Sequence, residues 1–372
     1  MRQELVDEII DRAMAALQYT AFASPDQNNE FELKVTPNAI YFIPIMPTTY
    51  IIDESFYNKI YNILNVALTP TVTLIRPLSM QIKILPENEP SKQRALYFPM
   101  HPGRSKRLVC TISNLVNMYY QTHAIPLMDR ISWDPVKSPH CIISGVSGSG
   151  KSFSMQTIYR LCSKLGFDCI IIDPKISDLA RLSRKLPAKK VITPDFEKSS
   201  QQGIGGRYLT TVVNELKSIE NEMYRRQALL YKQPKVSANF EDIGLKPIFL
   251  FIDEAAALLT GANRQIKQDY IDTLTRLAIL GRESGLQLII SVQAARADYI
   301  PTMVRDSMSL RIQLGRLNSE NTRFLFPELS DMPMIPLGGN GSGIVSIAGN
   351  NVTAGIEPIS MPTIIDNDEV QK

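Results

Sequence analysis

The chain has 372 residues, 44% apolar and 21% charged, which supplies enough apolar side chains for a real core and too little charge imbalance for a disordered polymer. Lys and Arg total 40 against 37 for Asp and Glu, and a net charge of +3 excludes holding nucleic acid by bulk charge, so any such surface must be local. At roughly 100–200 residues per domain the length predicts two or three domains, and the 4 cysteines form no C-x-x-C and stand with only 3 histidines, which excludes zinc-finger and zinc-ribbon chemistry and reads as the reduced thiols of a cytoplasmic protein.

Residues 1–19 read as an amphipathic helix, with Leu5, Ile9, Ala13 and Leu17 spaced four apart. Its polar side carries Glu4, Asp7, Glu8 and Asp11, so it is expected to pack on its own domain rather than lie on a membrane or serve as a signal peptide. β-like runs follow at 30–35, 39–45, 72–75 and 80–84, with a helix-like stretch at 54–68 among them. The segment 86–107 is polar and proline-containing, holds Arg104, Lys106 and Arg107, and reads as a loop or arm. Together these make a small α+β domain over residues 1–130, suited to docking or assembly. No uninterrupted apolar run reaches the ~18–20 residues of a membrane span.

From about residue 131 short apolar runs alternate with helical patterns. Strands are expected at 141–144, 169–172, 190–192, 248–252, 286–291, 310–314 and 344–347, and helices at 152–165, 208–231 and 264–283, with shorter ones near 301–307 and 320–325. Apolar strands without alternation are what a parallel sheet covered on both faces requires, and the alternating order predicts an α/β fold. This domain is expected over 131–355, and 356–372 reads as a polar tail with frayed last residues.

The strongest motif is Gly145-Val146-Ser147-Gly148-Ser149-Gly150-Lys151-Ser152, a full G-x-x-x-x-G-K-[ST] between an expected strand and an expected helix. Its glycines let backbone N–H groups curl around phosphate oxygens, and the following helix N-terminus adds its dipole. Lys151 is then expected to reach the β- and γ-phosphates of ATP, and the Ser152 hydroxyl to hold Mg²⁺. A second motif is the apolar strand 248–252 ending in Asp253-Glu254. Asp253 fits the Mg²⁺ partner of a Walker B strand, and Glu254 is placed to polarise the attacking water, which favours an ATP-hydrolysing machine over a kinase.

The apolar run 286–293 ends in Gln293 and resembles the strand on which RecA-like motors carry a γ-phosphate sensor. Arg282 leads into it, as does an arginine that in ring ATPases completes a neighbour's site; Arg276, Arg311 and Arg323 are alternatives for that role.

In this order the pieces resemble the FtsK/SpoIIIE/HerA family of DNA-pumping ATPases. The resemblance extends to Ser138-Pro139-His140 before the P-loop strand, Ile171-Ile172-Asp173-Pro174-Lys175 at a strand end, Glu222-Met223-Tyr224-Arg225-Arg226 on the long helix, Arg282-Glu283-Ser284-Gly285 through Gln293, and the spaced Arg311 and Arg323. It covers residues 131–347 and implies a RecA-like P-loop NTPase core with a mainly parallel central sheet, behind the small α+β domain. The sensor loop departs from the family pattern at Ala294-Ala295, and neither a winged-helix module nor a membrane anchor is recognised. The nearest type is the conjugative coupling protein of Gram-positive mobile elements, which hands DNA to a membrane secretion channel.

That resemblance implies ATP and Mg²⁺ as cofactors, DNA as a sequence-independent partner, a hexamer as the active homo-oligomer, membrane-anchored secretion or conjugation proteins as docking partners, and a relaxase–DNA complex as cargo. The basic run Arg181, Arg184, Lys185, Lys189 and Lys190, with no acid among them, is the candidate phosphate-contacting surface, and the loop 203–207 a candidate pore lining. Nothing resembles a base-reading helix. Two other readings remain open: a protein-export motor of the type VII secretion kind, and an ATP-dependent assembly switch that ignores DNA.

Overall fold

The computed structural model describes residues 1–20, 30–45, 52–87, 89–195, 207–329, 332–333, 338–349 and 355–365. The chain divides into two compact units. The first comprises Met1–Lys106 with Glu328–Pro336 and Asn350–Glu357, and the second the remainder.

In the first unit, α1 (Gln3–Thr20) is followed by β1 (Glu30–Thr36), β2 (Ala39–Ile45), α2 (Glu54–Leu68), β3 (Val72–Leu74), β4 (Arg76–Pro77), β5 (Ile82–Ile84) and β6 (Arg94–Pro102). The four-residue apolar spacing of α1 buries Ile9, Ala13 and Leu17 against Tyr57, Ile60 and Leu64 of α2 and Phe98 of the sheet. Asp53 caps α2 by accepting the Phe56 N–H at 2.8 Å, which satisfies one orphan donor of the first turn. The segment 86–107, expected as a loop or arm, instead contains β6, which pairs with β2, β3 and β5. Its prolines argued against a strand, but Leu96, Phe98 and Met100 are buried at period two, and the Pro99 carbonyl still accepts the Ile75 N–H at 2.9 Å.

The second unit begins at Arg107 rather than near residue 131. It opens with β7 (Val109–Cys110), α3 (Ile112–Thr122), β8 (Ile125–Met128) and β9 (Ile131–Trp133), which the apolar-run reading passed over. Then come β10 (Cys141–Gly145), α4 (Lys151–Lys164), β11 (Asp168–Ile172), α5 (Asp178–Leu182), β12 (Lys190–Ile192), α6 (Arg207–Leu230), β13 (Ile248–Ile252), α7 (Ala255–Leu258), α8 (Arg264–Leu280), β14 (Leu286–Val292), α9 (Thr302–Asp306), β15 (Leu310–Leu314), α10 (Ser319–Leu325), β16 (Ser342–Ile347) and, after β17 (Gly355–Ser360), whose first residues Gly355–Glu357 belong to the first unit, β18 (Thr363–Ile364). The residues read as a polar tail from 356 therefore hold strands: β18 pairs with β7, and Ile359 and Met361 lie in the core with Trp133, Phe249 and Ile143. Apolar partners far back in the sequence order them, which composition over so short a stretch does not reveal. Residues 366–372 lie outside the described set.

Within this unit the sheet order is β12-β11-β13-β14-β10-β15-β16, parallel except for the antiparallel β15–β16 pair. β10, β13 and β14 are buried along their whole length, as unalternating apolar strands covered on both faces must be. All five parallel pairs end at one edge, where ligands of open α/β sheets bind. No helix among the described residues is long and apolar enough to cross a membrane.

Candidate active site

β10 ends at Gly145 and α4 starts at Lys151, so the glycine-rich motif is the connection itself. Gly148 and Gly150 have φ of 77° and 100°, in the left-handed region that glycine enters at no steric cost. A Cβ on Gly148 would meet nothing within 4 Å, so the outer side of the loop is an open cradle. On Gly150 it would come within 2.8 Å of the Gly341 backbone. The Gly341 N–H donates to the Ser149 carbonyl at 2.9 Å, while the Arg107 guanidinium donates to the Asn340 carbonyl at 2.5 Å and to Ser342 Oγ at 3.0 Å. Loop 338–342 therefore braces the P-loop, and no sequence signal pointed to it.

Lys151 folds back over the loop, donating to the carbonyls of Gly145 at 2.5 Å and Val146 at 3.3 Å. Burial lowers its pKa below the ordinary lysine range; the carboxylates of Glu254 and Asp253 oppose that shift and Lys175 adds to it. A phosphate in the cradle would add a further counter-charge beside this ammonium. Ser152 is exposed on the first turn of α4.

The candidate acids come from strand register. Ile172, Ile252 and Ile290 stand level across β11, β13 and β14, so the next residues, Asp173, Asp253 and Ser291, emerge together at the edge that carries the P-loop. Ser291 Oγ donates to Asp253 Oδ1 at 2.6 Å. Ser177 Oγ lies 2.9 Å from Asp253 Oδ2 and 2.7 Å from Asp173 Oδ2, and its single proton serves one carboxylate at a time. Glu254 adopts φ 49°, ψ 63°, a left-handed conformation that costs a non-glycine residue about 1–3 kcal/mol and clusters at functional sites. Two contacts hold it there: its N–H donates to Ser291 Oγ at 3.2 Å, and its Oε2 accepts from Lys175 Nζ at 3.1 Å. Ser177 and Ser291 were not singled out from sequence; nothing local marks a serine as a carboxylate's partner.

Gln293 is exposed just beyond β14 at the same edge, its carbonyl 3.4 Å from Ser144 Oγ. Arg282 is not part of this assembly. It is exposed in the turn before β14, at the other end of a parallel strand about 20 Å long. Arg276 is tied to Glu220 on α6, with Nη2 3.3 Å from Oε2. Arg311 donates to the carbonyls of Met308 and Leu325, each at 3.2 Å, whereas Arg323 is exposed.

The basic run is divided. Arg181, Arg184 and Lys185 lie on and after α5, whereas Lys189 and Lys190 lead into β12. Arg181 pairs with Asp178 at 3.3 Å, Lys189 with Asp168 at 2.9 Å, and Lys190 with Glu215. Arg184 and Lys185 are exposed with no ion-pair partner among the described residues. The candidate pore loop 203–207 lies outside the described residues except for Arg207, the first residue of α6.

A family profile described as "Helicase HerA, central domain" matches residues 130–315, half of the chain. An FtsK-domain-containing protein of Bacillus subtilis, YdcQ, is 33% identical over 206 residues, covering 55% of this chain and 40% of that protein. The DNA translocase SpoIIIE of the same organism is 25% identical over 230 residues, covering 55% of this chain and 27% of SpoIIIE. The chain thus spans less than half the length of these curated relatives. The conjugation coupling protein TcpA of pCW3, in a monomer form with ATPγS, superposes with a TM-score of 0.56 at 18% identity, covering 97% of this chain and 96% of TcpA, and shares the fold.

Proposed function

The chain belongs to the HerA/FtsK family of P-loop ATPases, and from that premise we propose that it is an ATP-driven motor that moves DNA, acting in conjugative transfer to deliver DNA to a membrane secretion channel. The observation that carries the reading is the convergence, at one sheet edge, of an open P-loop cradle with Asp253, Glu254 and Gln293. Lys151 would neutralise the β- and γ-phosphates. Glu254 would orient the attacking water and take up its proton, since it is the one acid of the edge paired with a movable cation rather than with serine hydroxyls. Gln293 would register the γ-phosphate.

Ser152, exposed at the start of α4, and buried Asp253, whose serine contacts leave lone pairs free, are hard oxygen donors that fit Mg²⁺; the ion, when bound, would supply charge neutralisation on the phosphates. Arg282 stands too far along β14 to serve its own P-loop, which supports its acting in a neighbouring subunit of a hexamer. Arg184 and Lys185 are the best-placed DNA phosphate contacts. A membrane-anchored secretion component would recruit the motor, and a relaxase–DNA complex would be its cargo.

ATPase rate against added single-stranded and duplex DNA, with size-exclusion analysis in parallel, tests the reading. A rate that rises several-fold with DNA and an assembly that grows on the DNA are expected. A rate indifferent to both nucleic acids would point instead to an assembly switch or a protein-export motor.

A further inference from the structure

Lys175 has no part in the Walker motifs, yet it holds the one carboxylate on which hydrolysis is assigned. The Glu254 side chain is 10% exposed and that of Lys175 49% exposed, with Nζ 3.1 Å from Oε2. The carboxylate is thus largely dry and fixed by its backbone, whereas the ammonium sits on a flexible stem with a ready exit to water. A carboxylate that must orient water and accept its proton is less able to do so while an ammonium occupies its oxygen.

The backbone around Lys175 joins this pair to the basic surface. Fully buried Asp173 accepts the N–H groups of Lys175 at 3.0 Å, Ser177 at 2.8 Å and Ala180 at 3.3 Å. Ser177 caps α5 by accepting the Leu179 N–H at 3.3 Å and also reaches Asp253. One short loop therefore touches both catalytic acids and starts the helix that leads to Arg184 and Lys185. Lys175 also adds to the lowering of the Lys151 pKa, so the two ammonium groups lie near enough to repel each other.

We propose that Lys175 is a positioning residue that holds Glu254 in an idle pose, and that DNA phosphates on the α5 surface shift loop 173–177 so that the ammonium leaves Glu254 for water. DNA can bias this equilibrium only by binding one position of the loop and α5 more tightly than the other. This inference rests on the reading of Glu254 as the hydrolytic carboxylate.

The test is steady-state ATPase with and without duplex DNA for the parent, Lys175→Met, Lys175→Gln, Glu254→Gln and the Lys175→Met/Glu254→Gln pair, with ATP affinity from a fluorescent-analogue titration and thermal melting for each. Both Lys175 variants should hydrolyse several-fold faster than the parent without DNA and respond less to DNA, with ATP affinity within about twofold. In the Glu254→Gln background the Lys175 change should have no further effect, because the coupled partner is gone. A DNA-free rate that stays level or falls in whichever Lys175 variant melts like the parent overturns the inference, as does parental turnover in Glu254→Gln. If the parent ignores DNA, the DNA-motor reading fails, while the DNA-free rates still judge Lys175.

Discussion

Ser291 seats both acids that follow β13: its hydroxyl donates to Asp253 Oδ1 at 2.6 Å while its oxygen accepts the Glu254 N–H at 3.2 Å. Both contacts are buried. Ser291→Ala leaves a carboxylate oxygen and a backbone N–H short of a partner, at a cost of about 1–3 kcal/mol. The urea midpoint should fall with an unchanged m-value, and turnover should fall with it. A midpoint equal to that of the parent would reject the seating role.

Lys151→Ala should abolish turnover and weaken ATP binding. Lys151 donates to the Gly145 and Val146 carbonyls of the loop, within reach of a phosphate held there. Equilibrium binding and turnover of the purified variant check this, and normal turnover contradicts the P-loop assignment.

Glu254→Gln preserves size and hydrogen bonding but loses the charge that takes up a proton. A drop of roughly 10²–10⁴-fold in turnover is expected, with ATP still bound. Single-turnover measurements separate the two steps. Turnover within a few-fold of the parent would move the catalytic role to another group.

Arg282→Ala should bind ATP normally yet hydrolyse it poorly, because a trans arginine acts mainly on charge that develops in the transition state. Mixing Arg282→Ala with Lys151→Ala subunits, each inactive alone, should restore part of the activity, since mixed rings place an intact P-loop beside an intact arginine. Absence of rescue in verified mixed oligomers would be evidence against a shared site. Arg311 and Arg323 would then need the same assay; Arg276, already engaged by Glu220, is a weaker substitute.

His140 makes stability depend on pH. Its Nε2 lies 2.9 Å from the Ala278 carbonyl and its Nδ1 accepts the Leu288 N–H at 3.1 Å, a pairing that requires the neutral ring. Burial lowers its pKa to about 4 from the usual 6.5. Between those values the unfolded chain binds the proton and the folded chain does not, so stability falls as pH drops from 6.5 toward 4, by up to about 3 kcal/mol. Above 6.5 the group contributes no slope. Urea melts from pH 7 to 4.5 should show this loss, and His140→Asn, which tolerates the left-handed φ of 63° found there, should flatten it.

The P-loop, the strand ending in Asp253-Glu254 and the succession of apolar strands along the chain were legible in the sequence because their causes are local. A glycine-rich turn, a lysine at a helix start and an unalternating apolar run each lie within one stretch of chain. β6 was hidden by Pro99 and Pro102, and β18 by its brevity; both exist because partners distant in sequence, β2 and β7, supply their hydrogen bonds.

Strand register settled the rest. It brought Asp173, Asp253 and Ser291 level, set Lys175 against Glu254, and packed Gly341 onto Gly150. It also separated the basic run, since Arg181, Lys189 and Lys190 find acids at Asp178, Asp168 and Glu215, and two of those three pairings are long-range. Residue type at a spacing determines which chemistry a chain can attempt. Which side chains meet to carry it out depends on how the strands align, and that alignment is fixed only when the whole apolar core is buried.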